Sequence, residues 1–569
     1  MSGRVKSDVS SPGKGQNAGA AARPRPLITL ENAFFWEGGE FDELRFQRCS
    51  TCENLRFPVA PICPYCRSTQ VAIVPVSGQG VVVGCTINYQ AWSPAFPPPY
   101  SIAVVAIDED PRIRLTTNVT GCPPEDVHLG QRVAVHFLQA SDSVWLPLFS
   151  PTGEEDGDWH VPEPLVAPAG HSVALDDRFE SRSAITGIGM SEVGRRLMRP
   201  PLSLTLEASL RAIEDAGLRV EDIDGVSTYP GGAGSGGHGE GGTTPVIDAL
   251  RLQPTWINGG GEMPGQIGAL VAAMLAVASG LCRHVLVYRT VWEATFSALQ
   301  RQGRVQGGGG SGGASGFMEG RLPFGAFSAA NWIAMAASQH FARYGTKRED
   351  LGFIALNARR NAALNPAAVY QEPLSMDDYL QARPISTPFG LYDCDVPCDG
   401  AVALVVSARD AASDLAQPPV LVDAIGTRVA DRISWDQGTL THEPQVFGPA
   451  RHLWTRTSLT RGDVDVAELY DGFTFNCLTW LEALGFCEIG EGGPFVAGGK
   501  RIALEGELPL NTGGGQLSGG RLHGFGFIHE AVTQIRGDAG ARQVPGAEVA
   551  LVATGGGVPG GCALFTSAR

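Results

Sequence analysis

At 569 residues, with 43% hydrophobic and 18% charged side chains, the chain is too long for one core and has the make-up of a globular protein of two or three domains. A formal charge of −16 excludes nucleic acid as the main partner, since phosphate backbones are held by clustered Lys and Arg. The longest apolar run, residues 267–279, is short of the ~20 residues that cross a bilayer, and the residues before Pro26 lack the apolar centre of a signal peptide. A cytoplasmic protein with no membrane partner is expected, and its twelve cysteines are then thiols or metal ligands and not disulfides.

Residues 1–26, rich in Gly, Ala, Ser, Arg and Pro, read as a disordered leader. In residues 27–75 a helical start at Phe34-Phe35-Trp36 is followed by Cys49-x2-Cys52 and Cys63-x2-Cys66. Four thiolates in two such knuckles satisfy a tetrahedral Zn²⁺ with no open position, so the metal is structural; iron suits the same four sulfurs. Residues 76–150 hold short apolar runs at 81–83, 102–105 and 133–135, separated by turn signals at Pro98-Pro99 and Gly121-Cys122-Pro123, the pattern of a small all-β barrel. Residues 151–182 are acidic and Pro-rich and read as a linker.

From Ser183 onward apolar strands alternate with amphipathic helices, which predicts a layered α/β fold. It is internally repeated. Residues 400–409 match 560–569 at six of ten positions, Leu218 and Asp222-Ile223-Asp224 recur as Leu459 and Asp463-Val464-Asp465, and a tyrosine follows each by five residues, Tyr229 and Tyr470. The spacings assign about 80 extra residues to the first half, including the Gly-rich stretch 307–320, and divide the domain into 183–415 and 416–569. That stretch is a candidate lid over an acyl pocket. Its Gly309-Gly310-Ser311-Gly312-Gly313 lacks the strand–turn–helix setting of a nucleophile elbow, and Gly187-Ile188-Gly189 lacks the third glycine of a dinucleotide loop.

The ribbon and barrel, residues 30–150, resemble the zinc-ribbon/OB-fold proteins that accompany thiolase-like enzymes. That resemblance implies a module that docks on its enzyme and helps bind acyl-CoA, here fused to its partner. Residues 183–194 and 206–217, Tyr392-Asp393-Cys394-Asp395-Val396-Pro397-Cys398-Asp399-Gly400-Ala401, Glu468-Leu469-Tyr470-Asp471-Gly472-Phe473 and Asn511-Thr512-Gly513-Gly514-Gly515-Gln516-Leu517-Ser518 are similar to thiolases of the lipid-transfer and sterol-carrier branch. The resemblance implies a duplicated five-layer α/β/α/β/α domain and a homodimer formed through it.

Thiolases work with a nucleophilic cysteine, a second acid/base cysteine and a histidine. Here the loop after Trp256-Ile257 has no cysteine, Ala553 stands at the second position, Gly520-Arg521-Leu522 replaces Gly-His-Pro, and Tyr470-Asp471-Gly472-Phe473 replaces Asn-Glu-Ala-Phe. A scaffold without those thiols, joined to a zinc-ribbon/OB module, resembles the steroid side-chain-cleaving aldolases. That likeness implies retro-aldol cleavage of a 3-hydroxyacyl-CoA to a ketone and a shorter acyl-CoA, with coenzyme A as part of the substrate and an upstream hydratase as its supplier. It makes Tyr470 the main proton-transfer residue, provided its pKa is lowered or a base lies beside it, with His523 as second member and Asp471 orienting. Arg521 is a candidate contact of a CoA phosphate, and the loops of Gly514 and Gly556 supply candidate N–H donors to the thioester oxygen. Two other readings remain open at this point, a non-catalytic acyl-CoA or lipid carrier and a thiolase-like acyltransferase.

Overall fold

The structure is a computed structural model that describes residues 22–164, 178–229, 239, 241–261, 263–305, 313–555 and 560–568. On the short helix Ala33–Trp36, Phe35 packs edge-on against Trp36 and meets the rings of Phe46 and Phe57, which seats the helix on the ribbon. The ribbon is an antiparallel sheet in which Leu44–Cys49 lies between Leu55–Arg56 and Val71–Val76. The barrel that follows has five strands, Gln79–Asn88, Tyr100–Ile107, Asp110–Thr117, Arg132–Ser141 and Val144–Pro151. The third and fifth escape a search for apolar runs: one carries Asp110, Arg112 and Arg114, the other Pro147 and Pro151.

The barrel shares a sheet with the next domain, because Ser386 of the strand Pro384–Ser386 pairs with Asn88. Asn331 donates to both the Asn88 and Ser386 side chains at 3.0 Å, and Thr86 donates to the Thr387 carbonyl at 2.7 Å. Beside these polar ties, Val83, Ile102 and Val104 form one core with Ala326, Met335 and Leu440. Residues 152–164, acidic and without periodicity, run along this seam: Gln339 donates to the Trp159 carbonyl at 2.8 Å and Arg343 to that of Val161 at 2.7 Å, while the side chains of Trp159 and Val161 join the shared core. Residues 165–177 lie outside the described residues. The described end of the leader is also held, Leu27 donating to Ala314 at 2.7 Å and Arg23 to Asn118 at 2.9 Å. Of the Gly-rich stretch proposed as a lid, residues 307–312 lie outside the described residues, and the part from 313 onward docks this N-terminal segment.

The large domain carries a nine-stranded sheet whose order is one pattern used twice. From the middle outward run Ser183–Met190, Asp399–Ala408, His284–Trp292 and Gly225–Thr228 on one side, and Val420–Gly426, Gly561–Ser567, Val549–Thr554 and Val466–Leu469 on the other. Trp256–Asn258 is added at the first edge. Two residue pairs, Val420 with Ile185 and Leu421 with Ala184, join the halves. Each repeat found in the sequence falls on equivalent elements, and Tyr229 and Tyr470 each follow the matching strand of their half.

Between the half-sheets lie Ile267–Ala278 and Phe525–Arg536, each touching strands of both halves. The first is apolar almost throughout and buries the two faces it turns to the half-sheets, leaving Leu275 exposed. Pro201–Asp215 covers the first half-sheet and Phe447–Trp454 the second, which completes the five-layer α/β/α/β/α thiolase fold. The extra residues of the first half enter mainly between Trp292 and Asp399, as the helices Glu293–Arg301, Ala329–Tyr344 and Arg348–Ala362. No helix among the described residues is long and apolar enough to cross a membrane.

Candidate active site

Three backbone hydrogen bonds bring the separate thiolase-like motifs to one place. Asp395 N–H donates to Gly472 C=O, Val396 N–H to Gln516 C=O, and Arg521 N–H to Val396 C=O, each at 3.0 Å. Tyr470, Asp395, Gln516 and Arg521 therefore surround a common centre at the end of the strand Val466–Leu469.

Arg521 is held between two carboxylates, donating to Asp395 at 3.0 Å and to Glu293. Burial opposes its charge, but Asp395 and Glu293 outweigh burial and keep it a cation. Burial also pushes the Asp395 carboxyl up to about 7, against the pull of Arg521. The Tyr470 hydroxyl is pushed far above its ordinary value by burial, with Asp395 and Glu443 adding to the rise and the Gln516 side chain opposing it. Tyr470 is thus a neutral phenol. The lowered pKa that a tyrosine base needs is absent, and the alternative condition, a base alongside, is met by Asp395.

Asp471 is fully buried and accepts from Gln516 N–H at 2.7 Å and from Asn511 Nδ2 at 2.9 Å. It fixes the 511–517 loop, so its orienting effect reaches the site through that loop. His523, at φ +49°, accepts from Arg289 on Nδ1 at 2.8 Å, which places its proton on Nε2, 3.6 Å from Glu293. With one nitrogen accepting from an arginine, this imidazole is placed as a support of the Arg289–Glu293 side of the centre. The partners of the Arg521 guanidinium in this structure are the carboxylates of Asp395 and Glu293. The Gly514 N–H bonds Asn511 C=O at 2.9 Å, so it does not reach for a thioester oxygen. Glycine is required there for another reason: φ is +97° and a Cβ would lie 2.6 Å from that of Ala362. Gly556 lies outside the described residues.

Sequence reasoning missed Glu293, Arg289 and Asp395. Asp395 stood inside a recognised motif, and the other two were legible only as charges at the end of the apolar strand His284–Trp292. In the loop where a thiolase nucleophile is expected, Met263 packs on Gly268 at the start of the central helix and Glu262 lies outside the described residues, and Ala553 is buried in Val549–Thr554. The six cysteines of this domain, Cys282, Cys394, Cys398, Cys477, Cys487 and Cys562, are all pushed above the ordinary thiol value, burial being the largest cause for each.

In the ribbon, Cys49 and Cys66 lie with sulfurs 3.5 Å apart, as do Cys52 and Cys63, and all four gather within 4.8 Å. Four thiolates so close call for a dication, and a tetrahedral Zn²⁺ fits this all-sulfur set. Its role is structural.

Comparison with known proteins agrees with this geometry. Residues 36–72 match the ChsH2 rubredoxin-like zinc ribbon domain, 73–138 the ChsH2 C-terminal OB-fold domain, and 446–561 the thiolase C-terminal domain-like family. A steroid side-chain-cleaving aldolase of Thermomonospora curvata is 36% identical over 384 residues, covering 66% of this chain and 96% of that relative. The chain belongs to the steroid side-chain-cleaving aldolase family. Another member, the 17-hydroxy-3-oxo-4-pregnene-20-carboxyl-CoA lyase of Mycobacterium tuberculosis, is 35% identical over 398 residues, covering 67% of this chain and 98% of its own. The solved structure of an Ltp2-ChsH2(DUF35) aldolase superposes with a TM-score of 0.59 at 32% identity, over 68% of this chain and 98% of that one.

Proposed function

We propose that this chain is an acyl-CoA carbon–carbon lyase that cleaves a 3-hydroxyacyl-CoA with a steroid or similar side chain into a ketone and a shorter acyl-CoA. One observation carries the chemistry: the centre joins a buried phenol, a carboxyl near pKa 7 and an arginine clamped by two carboxylates, while every cysteine of the domain has its thiol pushed above the ordinary value. Such thiols are poor nucleophiles, and acyl capture needs a thiolate.

In this reading Tyr470 takes the proton of the β-hydroxyl as it passes its own to Asp395. The bond between the α and β carbons then breaks, leaving the ketone and the thioester enolate, and the proton returns through Tyr470 to the α carbon. Burial raises the pKa of Asp395 while Arg521 limits the rise, Asp471 fixes the 511–517 loop, and His523 braces Arg289 and Glu293. The acyl-CoA comes from a hydratase acting on an enoyl-CoA. A homodimer belongs to the same reading, supported by the open outer edge of Trp256–Asn258 and by the exposure of its Ile257, 56% accessible.

Incubation with a β-hydroxy steroid acyl-CoA tests this directly. Ketone and shortened acyl-CoA should form without added CoA, and Tyr470→Phe should lose at least about a hundredfold in kcat, the usual range for a positioned proton-transfer group. Strict dependence on free CoA would indicate thiolysis, and binding without turnover a carrier. A folded Tyr470→Phe variant with full activity removes the tyrosine from the mechanism.

A further inference from the structure

Phe527, whose ring meets that of Tyr470 edge-on, borders a cavity of about 50 Å³ together with Glu468, Gln516, Gly526, His529 and Glu530. It is far too small for a steroid or a pantetheine chain, and large enough for one or two waters. Two buried side chains on its wall are incompletely partnered. Glu468 is fully buried; its Oε1 accepts from Thr512 N–H and hydroxyl at 2.8 Å, while its Oε2 has no protein partner. Gln516 is 3% exposed, and neither its Oε1 nor its Nε2 makes a well-directed hydrogen bond within the protein, although the amide faces the Tyr470 hydroxyl. Buried polar atoms left in this state, around a cavity of this size, are where structures hold ordered water.

The cavity also leads outward. His529, Met190 and Ala367 border both it and an open surface depression that includes Arg211 and Asp215. From Glu468 a second polar path runs through Thr512 to Glu530 at 2.9 Å and on to Arg542, also at 2.9 Å. Once a bulky apolar acyl chain fills the front of the site, solvent is excluded from that side. A rear route is then the way for the phenol to exchange protons.

We propose that this cavity is a water-filled proton conduit, in which Glu468 and Gln516 connect Tyr470 to solvent behind the bound substrate. The inference rests on the proton-transfer role of Tyr470 given above. Cleavage itself needs no net proton, because the one taken from the hydroxyl returns to the α carbon. Exchange of the product's α protons with solvent does need the conduit: the base removes a proton from the thioester α carbon, a solvent deuteron replaces it on the base, and that deuteron returns to the enolate carbon.

The experiment measures deuterium wash-in to the α carbon of the shortened acyl-CoA product in D₂O, by mass spectrometry, with saturating ketone product filling the front of the site, beside single-turnover cleavage of the hydroxyacyl-CoA. The parent enzyme should exchange. Glu468→Gln keeps the acceptor for Thr512, and Gly526→Ala adds a methyl group whose nearest neighbour is Leu522 at 3.6 Å, narrowing the cavity without touching a polar group. Both should slow exchange at least tenfold while cleavage falls less than twofold with KM unchanged. Tyr470→Phe should lower both reactions. Unchanged exchange in either folded variant overturns the conduit, as does absence of exchange in the parent. A raised KM in Gly526→Ala also overturns it, by making the cavity part of the substrate pocket. Full cleavage by Tyr470→Phe instead defeats the reading on which the conduit rests.

Discussion

In the proposed mechanism the chemistry turns on Asp395. Its carboxyl sits near 7 because burial resists the charge more than Arg521 favours it. A base that must be ionised gains activity as pH rises through that value, so cleavage should increase up to about pH 7 and then level. The stability effect has the opposite sense. In the unfolded chain the group ionises near its ordinary value of 3.8, while the folded state retains its proton to about 7. The native state binds more protons across that window, and the stability contributed is lost as pH rises through it. Melting curves of Asp395→Asn against the parent should therefore move in the variant's favour between pH 4 and 7 and run parallel above. A difference that does not vary with pH would place the Asp395 carboxyl outside the buried centre. Tyr470 could be singled out from the sequence because it occupies the place of a known motif. That it is held neutral could not, because its surroundings come from segments as distant as Glu443 and Arg521.

Elements were legible where their periodicity survives burial and obscure where charge or proline interrupts it. The repeated strands, the central apolar helix and the cysteine knuckles announce themselves. The barrel strands Asp110–Thr117 and Val144–Pro151 do not, nor does the docking of residues 152–164, which depends on Trp159 and Val161 meeting a distant core. The ribbon is the clearest element for experiment. One zinc per chain should be found by metal analysis and lost in Cys49→Ser, with residues 36–72 becoming sensitive to protease; a metal-free chain equally resistant would deny the ion its structural part. A second buried cluster holds the helix Thr474–Leu484 in place: Glu482 accepts from His442 at 2.7 Å, from His340 at 3.2 Å, and from the backbone N–H groups of Gly490 and Gly492 at 2.8 and 2.9 Å. Glu482→Ala strands all four donors, which predicts a loss of about 3 kcal/mol or more in denaturant unfolding, and a loss under about 1 kcal/mol would show that the cluster is dispensable.

At the scale of the molecule, the ribbon–barrel module is part of the enzyme's own architecture. Strand pairing at Asn88 and Ser386, the shared core about Met335 and Leu440, and the seam along Trp159 would all be torn open if the chain were cut before Arg178. A fragment of residues 178–569 should consequently aggregate or bind a hydrophobic dye, measured by light scattering, and a well-behaved fragment of full activity would make the module a passenger. The fusion could be read from the order of motifs. The depth of its integration could not, since pairing between residues nearly 300 positions apart leaves no local trace. The central claim spans every scale: this thiolase fold breaks carbon–carbon bonds by moving protons, without a sulfur nucleophile. Intact-mass spectrometry of enzyme quenched during turnover tests it most directly. The account predicts the unmodified chain mass at every time point, and an acyl group found on any cysteine of residues 183–569 would contradict it.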